Sequence, residues 1–279
     1  MKASHITFGL LLLAGIATSC DNISEDDRYY MAEKTPVSRN LLIMEFTGNK
    51  CINCPLGAAA VEKIKHDAGA DKVVSVGLHP EGNINTIPMI TYHPKPGTLQ
   101  NFTCKEATEI FKYYGSPNGF PTAIFNGLKS SMSSDYGNWM TDAEKAFEEP
   151  SYVMLDAECD FDDSSRDLTV NYKVGFSDDL NESISIAVWL VENNILGIQQ
   201  MPGGKVNEDY VHNHVLRASL NGTWGENIGK TFTSASVVTG SASMTIPNNW
   251  VAENCDVVVI AFQDNDKYVQ QVISVNVIN

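Results

Sequence analysis

The chain has 279 residues, with 34 Asp and Glu against 19 Lys and Arg, a formal net charge of −15 at pH 7. So acidic a surface repels phosphate backbones and argues against nucleic acid as a partner. With a leader of 19 residues set aside, the remaining 260 are more than a single core usually accommodates, and more than one domain is predicted.

The chain opens MKASHITFGLLLLAGIATSC. A basic Lys2, an apolar run from Phe8 to Ala17 and small residues before Cys20 form a secretory leader over residues 1–19. The run falls well short of the roughly 18 apolar residues that a membrane-spanning helix needs. Small residues ending in cysteine resemble a bacterial lipobox. The resemblance implies acylation of Cys20 and attachment to the lipid bilayer, although Ala17 stands where leucine is commonest. Residues 20–37 form an acidic tether with little to bury, through Asp21, Glu25, Asp26 and Asp27. This acidic cluster also resembles the surface-export signal of Bacteroidetes lipoproteins.

Residues 38–149 alternate strand and helix signals. LLIMEF is a buried-strand run, and Leu56, Ala60, Ile64 and Ala68 share a helical face behind the cysteines. VVSVGL is a second buried strand, followed by an irregular stretch rich in Pro, Asn and Gly. Thr103 and Glu106 fit a capping box, which places Cys104 at the first helical position. FPTAIFNGLKSS reads as two short strands joined at Asn126-Gly127, and Tyr136, Trp139, Met140, Ala143 and Phe147 make the stripe of a last helix.

From Pro150 the pattern changes to two-residue alternation. Leu168, Val170, Tyr172, Val174 and Phe176 line one strand face, and Ile184, Ile186, Val188 and Leu190 line the next. With the later runs YVHNHVLR, CDVVVIAF and VQQVISVNV, residues 150–279 are predicted to be an all-β antiparallel sandwich.

Cys51 and Cys54 form a C-x-x-C at the junction of the first strand and first helix. That position, the β-α-β-α-β-β-α order, Glu45 upstream and Phe120-Pro121-Thr122 before the hairpin together resemble thioredoxin. The resemblance implies an α/β domain over 38–149 in which Glu45 is a buried carboxylate near the second cysteine and Pro121 is cis and faces the pair. The helix dipole favours a thiolate at a helix start, so Cys51 is the expected nucleophile and Cys54 the resolving thiol. Lys50, Ile52 and Asn53 depart from the usual Trp before the pair and Gly-Pro within it. A disulfide that never turns over is the alternative.

Three further cysteines follow. Cys159 shares its strand face with Val153, Leu155, Ala157 and Phe161, and Cys255 shares one with Val257, Val259 and Ala261. Both point into the sandwich core, joined as a structural disulfide or left as two buried thiols. Cys104 remains over, as an extra redox thiol or an idle one. His212 and His214 are read as solvent-facing residues of one strand face. No spaced Cys and His set completes a zinc site, and neither metal nor cofactor is predicted.

TGNKCINCP, GFPTAIFNG and YVHNHVLRASLNGTWGE, behind a lipoprotein signal, together resemble the outer membrane protein 28 related family of Bacteroidetes lipoproteins. The resemblance implies an outer-membrane lipoprotein facing the periplasm or the cell surface, with a thioredoxin-like domain before a β-sandwich. The expected activity is thiol-disulfide exchange with protein thiols or disulfides, the sandwich holding a partner. The competing expectation is a non-enzymatic binding protein or adhesin for an unidentified surface ligand.

Overall fold

A computed structural model describes residues 36–86, 97–98 and 100–278. The expected leader, the expected acylation site Cys20 and most of the expected tether lie outside the described residues. Along the chain come β1 (Leu41–Phe46), α1 (Cys54–Ala68), β2 (Val73–Leu78), α2 (Lys105–Tyr113), β3 (Thr122–Phe125) and α3 (Trp139–Glu148). Then follow β4 (Val153–Asp162), β5 (Asp167–Phe176), β6 (Ile184–Glu192), β7 (Ile195–Gln200) and β8 (Val206–His212). The last are β9 (Val215–Ser219), β10 (Glu226–Gly229), β11 (Val237–Thr245), β12 (Cys255–Gln263) and β13 (Val269–Asn276). The protein is mostly β.

Sequence reasoning placed a boundary at Pro150. Strands from both sides of that boundary share one sheet, in the order β13-β12-β6-β9-β2-β1-β3, with β10 added at β6. β1 and β2 run parallel, β3 runs antiparallel to β1, and β9 meets β2 in parallel through Gly77 and Val215. The Gly77 N–H donates to the His214 carbonyl at 2.7 Å. Strands β11-β5-β4 form a separate antiparallel sheet, and β7-β8 form a hairpin.

β6 explains the union. The alternation of Ile184, Ile186, Val188 and Leu190 predicts one buried face, yet all nine residues of the strand are buried. The predicted set packs with β4, β5 and β11. Its opposite face, Ala187, Trp189 and Val191, joins Leu42, Met44, Val76 and the α2 residues Ala107 and Ile110 in a second core. β12 divides in the same way, Val257, Val259 and Ala261 on one side and Val258, Ile260 and Phe262 on the other. A third core lies under α1 and α3, where the predicted Trp139 and Ala143 are buried beside Leu41, Ile43 and Phe125.

Four local expectations are corrected. α1 docks through Cys54, Gly57, Val61 and Ile64, so Leu56 faces solvent at 39% exposure. Cys104 is itself the cap of α2, its Sγ accepting from the Ala107 N–H at 3.4 Å, while the Thr103 hydroxyl bonds Asn101 instead. Asn126 and Gly127 do turn with positive φ, but the chain then enters a short 3-10 turn over Lys129–Ser131, and the second strand shrinks to the bridge between Ala123 and Ser133. The Ser131 hydroxyl, bonded to the Phe125 carbonyl at 2.8 Å and to that residue's N–H at 3.0 Å, takes the place of strand pairing. Finally, β8 ends at His212 and His214 has φ 57°, so the two histidines do not share a strand face.

Arg217 on β9 and Glu192 on β6 make an ion pair at 2.7 Å, with side-chain exposures of 6% and 4%. The other Glu192 oxygen accepts the Val251 N–H at 3.0 Å, and the Arg217 guanidinium lies 5.2 Å from the centre of the Trp250 ring. Removing one partner strands the other charge without water. Glu192→Ala should therefore lower the unfolding free energy by about 3–5 kcal/mol in urea titrations, far more than loss of the exposed Lys63–Asp67 pair.

Candidate functional site

Cys51 and Cys54 are joined by a disulfide with Cα atoms 5.4 Å apart, at the point where the loop after β1 turns into α1. Pro55 occupies the first turn, where its missing N–H costs nothing. The loop is held by the Cys51 N–H donating to the Gly48 carbonyl at 3.0 Å and by the Lys50 N–H donating to the Asn85 carbonyl at 2.9 Å.

Glu45, Pro121 and the cysteine-bearing helix converge at Gly57. A Cβ there would lie 2.7 Å from Glu45 Oε1 and 2.8 Å from two ring carbons of Pro121. Only glycine lets α1 approach β1 and the Phe120–Pro121 peptide, which is cis, this closely. Glu45 is 8% exposed, and burial pushes its carboxyl up to about 8 from an ordinary 4.5. At neutral pH it is mainly protonated, so it can deliver a proton as well as take one. Glu45 and Pro121, 76 residues apart in sequence, thus meet at Gly57, three residues beyond Cys54 on the same helix.

The second half of the chain covers the pair, which sequence reasoning did not anticipate. The Gln199 side-chain amide on β7 donates to the carbonyls of Cys51 at 2.9 Å and Gly48 at 3.3 Å, and the Gln200 N–H donates to the Asn49 carbonyl at 2.8 Å. Under this hairpin Cys51 is 4% and Cys54 is 2% exposed. Polar residues on a strand carry no signal of what they touch in space, so Gln199 had none to offer.

A cavity of about 270 Å³ opens on the Cys54 side of the disulfide, between α1, β2 and β8. Glu45, Cys54, Ser75, His79, Tyr210 and His212 are on its wall. His212, expected on a solvent face, is buried, and desolvation holds its imidazole down at about 4. His79 is likewise lowered to about 3, first by burial and then by the neighbouring His212. His214 stands at the mouth, 3.0 Å from Lys65 and 3.4 Å from Glu62.

Among the described residues Cys104, Cys159 and Cys255 are free thiols, and the disulfide expected between Cys159 and Cys255 is not formed. Both do pack in the core that includes β4 and β12, yet Cys255 is buried and directs its Sγ to the Val251 carbonyl at 3.3 Å, whereas Cys159 on β4 stays half-buried. Burial raises the Cys255 thiol to about 12 and the Cys159 thiol to about 11. Cys104 is also raised to about 12, because burial there outweighs the N–H of Ala107, so it is no activated thiol.

Because folding raises the Glu45 pKa, the folded protein holds that proton while the unfolded chain has lost it between 4.5 and about 8. Stability from this group is complete below 4.5 and is lost as pH rises through about 8. His79 and His212 act oppositely only below 6.5. From pH 6.5 to 8, the wild type should lose up to about 1.4 kcal/mol per pH unit relative to Glu45→Gln, measured by urea unfolding of the oxidised proteins.

Among solved structures, HBP35 of Porphyromonas gingivalis matches with a TM-score of 0.66 at 13% identity, covering 87% of this chain and 76% of that one. This is a likeness of fold. A domain of the outer membrane lipoprotein Omp28 from Porphyromonas gingivalis matches at 20% identity over 46% of this chain and 88% of that one, with a TM-score of 0.33. No curated protein matches the chain significantly. The sequence profile described as outer membrane protein Omp28 matches residues 107–279, a segment that includes Pro121 and the covering hairpin but begins after the C-x-x-C. By that match over more than half its length, the chain belongs to the Omp28 family of outer membrane proteins.

Proposed function

We propose that this outer membrane protein is a lipid-anchored thiol-disulfide exchange protein, with Cys51 and Cys54 as its redox pair on a thioredoxin-like framework over residues 38–149. The observation that carries the reading is the convergence of Glu45, Pro121 and the disulfide-bearing helix at Gly57, where no side chain would fit. The order β1-α1-β2-α2-β3-α3 and the parallel pairing of β1 with β2 support the same framework.

The chemistry follows from placement. In the reduced protein the first turn of α1 stabilises a thiolate at Cys51, which attacks a disulfide sulfur. Cys54, three residues on, then attacks Cys51 Sγ and releases the partner as a thiol. Glu45 takes the Cys54 proton as that thiol becomes a nucleophile and returns one in the reverse direction. The β-rich remainder of the chain, read as a sandwich, holds the covering hairpin in place. Envelope thiols or disulfides are the partners, and acylated Cys20 attaches the protein to the bilayer.

Equilibration in graded thiol buffers with counting of free thiols should return a Cys51–Cys54 potential within about −120 to −270 mV, the span of exchange catalysts. A value below about −300 mV would mark a structural disulfide and sink the reading. Cys54→Ala should accumulate a mixed disulfide at Cys51, visible by mass spectrometry. Separately, Cys20→Ala should move the protein from the membrane to the soluble fraction, where wild type is absent.

A further inference from the structure

The cavity beside Cys54 gathers buried polar atoms that have no protein partner. Glu45 Oε1, Ser75 Oγ, His79 Nδ1 and His212 Nε2 are all unpaired. Each belongs to a residue on the wall of that cavity, and the four are between 3% and 8% exposed. Leaving such an atom unpaired costs about 1–3 kcal/mol, so four around one cavity make a site for a molecule with complementary groups.

The character of those groups follows from the imidazoles. His79 also hydrogen-bonds the backbone at Gly77, and His212 does so at Ile198, in each case in the sense that favours the protonated ring. Such a bond has a ring N–H donating to a carbonyl, which leaves the unpaired nitrogen of the neutral ring as a lone-pair acceptor. The cavity therefore calls for hydrogen-bond donors. Among the described residues no three His, Cys, Asp or Glu side chains are placed to hold a metal ion.

Access selects size. The hairpin carrying Gln199 lies over the Cys51 side, so a protein partner would have to displace it, whereas Cys54 faces a space of about 270 Å³. We infer that the substrate entering this cavity is a low-molecular-weight aminothiol, its amine donating to the unpaired acceptors and its sulfur meeting the disulfide at Cys54. The inference rests on the exchange reading above: Cys51 of the reduced protein attacks disulfides, and the small thiol that reduces the resulting protein disulfide enters at Cys54.

The step balances in atoms and electrons. The entering thiolate, its proton left in solvent, bonds Cys54 Sγ, the Cys51–Cys54 bond breaks, and Cys51 leaves as a thiolate that takes the proton of the Glu45 carboxyl, which solvent replaces. A second thiol attacks the bound small sulfur, forming the small disulfide and releasing Cys54. Two small thiols are oxidised to one disulfide, the protein disulfide is reduced to two thiols, and the two protons end on Cys51 and Cys54.

The test follows reduction of the oxidised mature protein by mass spectrometry, with cysteamine, 2-mercaptoethanol at equal thiolate concentration, and reduced thioredoxin as a protein dithiol. Ala58→Leu fills the cavity wall, and Ala59→Phe narrows it from an exposed position on α1 that cannot endanger the fold. Cysteamine should outpace 2-mercaptoethanol at least fivefold, thioredoxin should not outpace cysteamine, and both variants should slow cysteamine at least tenfold. Faster reduction by thioredoxin, or cysteamine rates in both variants within twofold of wild type, would overturn the aminothiol inference and leave exchange standing. No reduction by any of the three would overturn exchange itself.

Discussion

Strands β6 and β12 are buried on both faces, and the architecture depends on that constraint. A strand with one apolar face can close a sandwich and leave its other face to water. Here the second face is also apolar, from Ala187, Trp189 and Val191 to Val258, Ile260 and Phe262, and must be covered. Helix α2 and the strands β1 and β2 complete that core. The two halves of the chain therefore fold against each other through a common core, and the sheet runs through both.

The joining decides what surrounds the cysteines. Once β9 is laid beside β2, the hairpin β7-β8 that precedes it in the chain is carried to the start of α1. Gln199 then supplies an amide to the Cys51 carbonyl, and His212 and Tyr210 close one side of the cavity. Residues 38–149 alone would leave this side open, because Gln199, Tyr210 and His212 all come from the later part of the chain. The buried Arg217–Glu192 pair fixes β9 to β6 and so holds the same hairpin at its far end.

Electrostatics within the site are governed by burial. Glu45 is raised and His79 and His212 are lowered by the same loss of water, so all three are mainly uncharged at neutral pH. The protein's large negative charge thus stays outside, and the interior of the site is polar but neutral. The free cysteines show the same effect, since burial raises all three and leaves no activated thiol among them.

Much of this was legible in the residues themselves. The C-x-x-C between an apolar run and a helical run, Pro55 in the first turn, the positive-φ pair Asn126-Gly127 and the alternating face of β5 are local patterns, and local backbone preferences determine them. Continuous apolar runs in β6 and β12 were read as strands, but alternation hides a second buried face when every residue is apolar. Only the tertiary structure decided that Leu56 faces out, that Cys104 caps α2, that Cys159 and Cys255 stay apart and that His212 is buried. Those outcomes depend on which strand lies beside β2, a long-range choice made by core packing. Sequence thus determined the elements and the C-x-x-C pair, while packing determined what covers that pair and what can reach it.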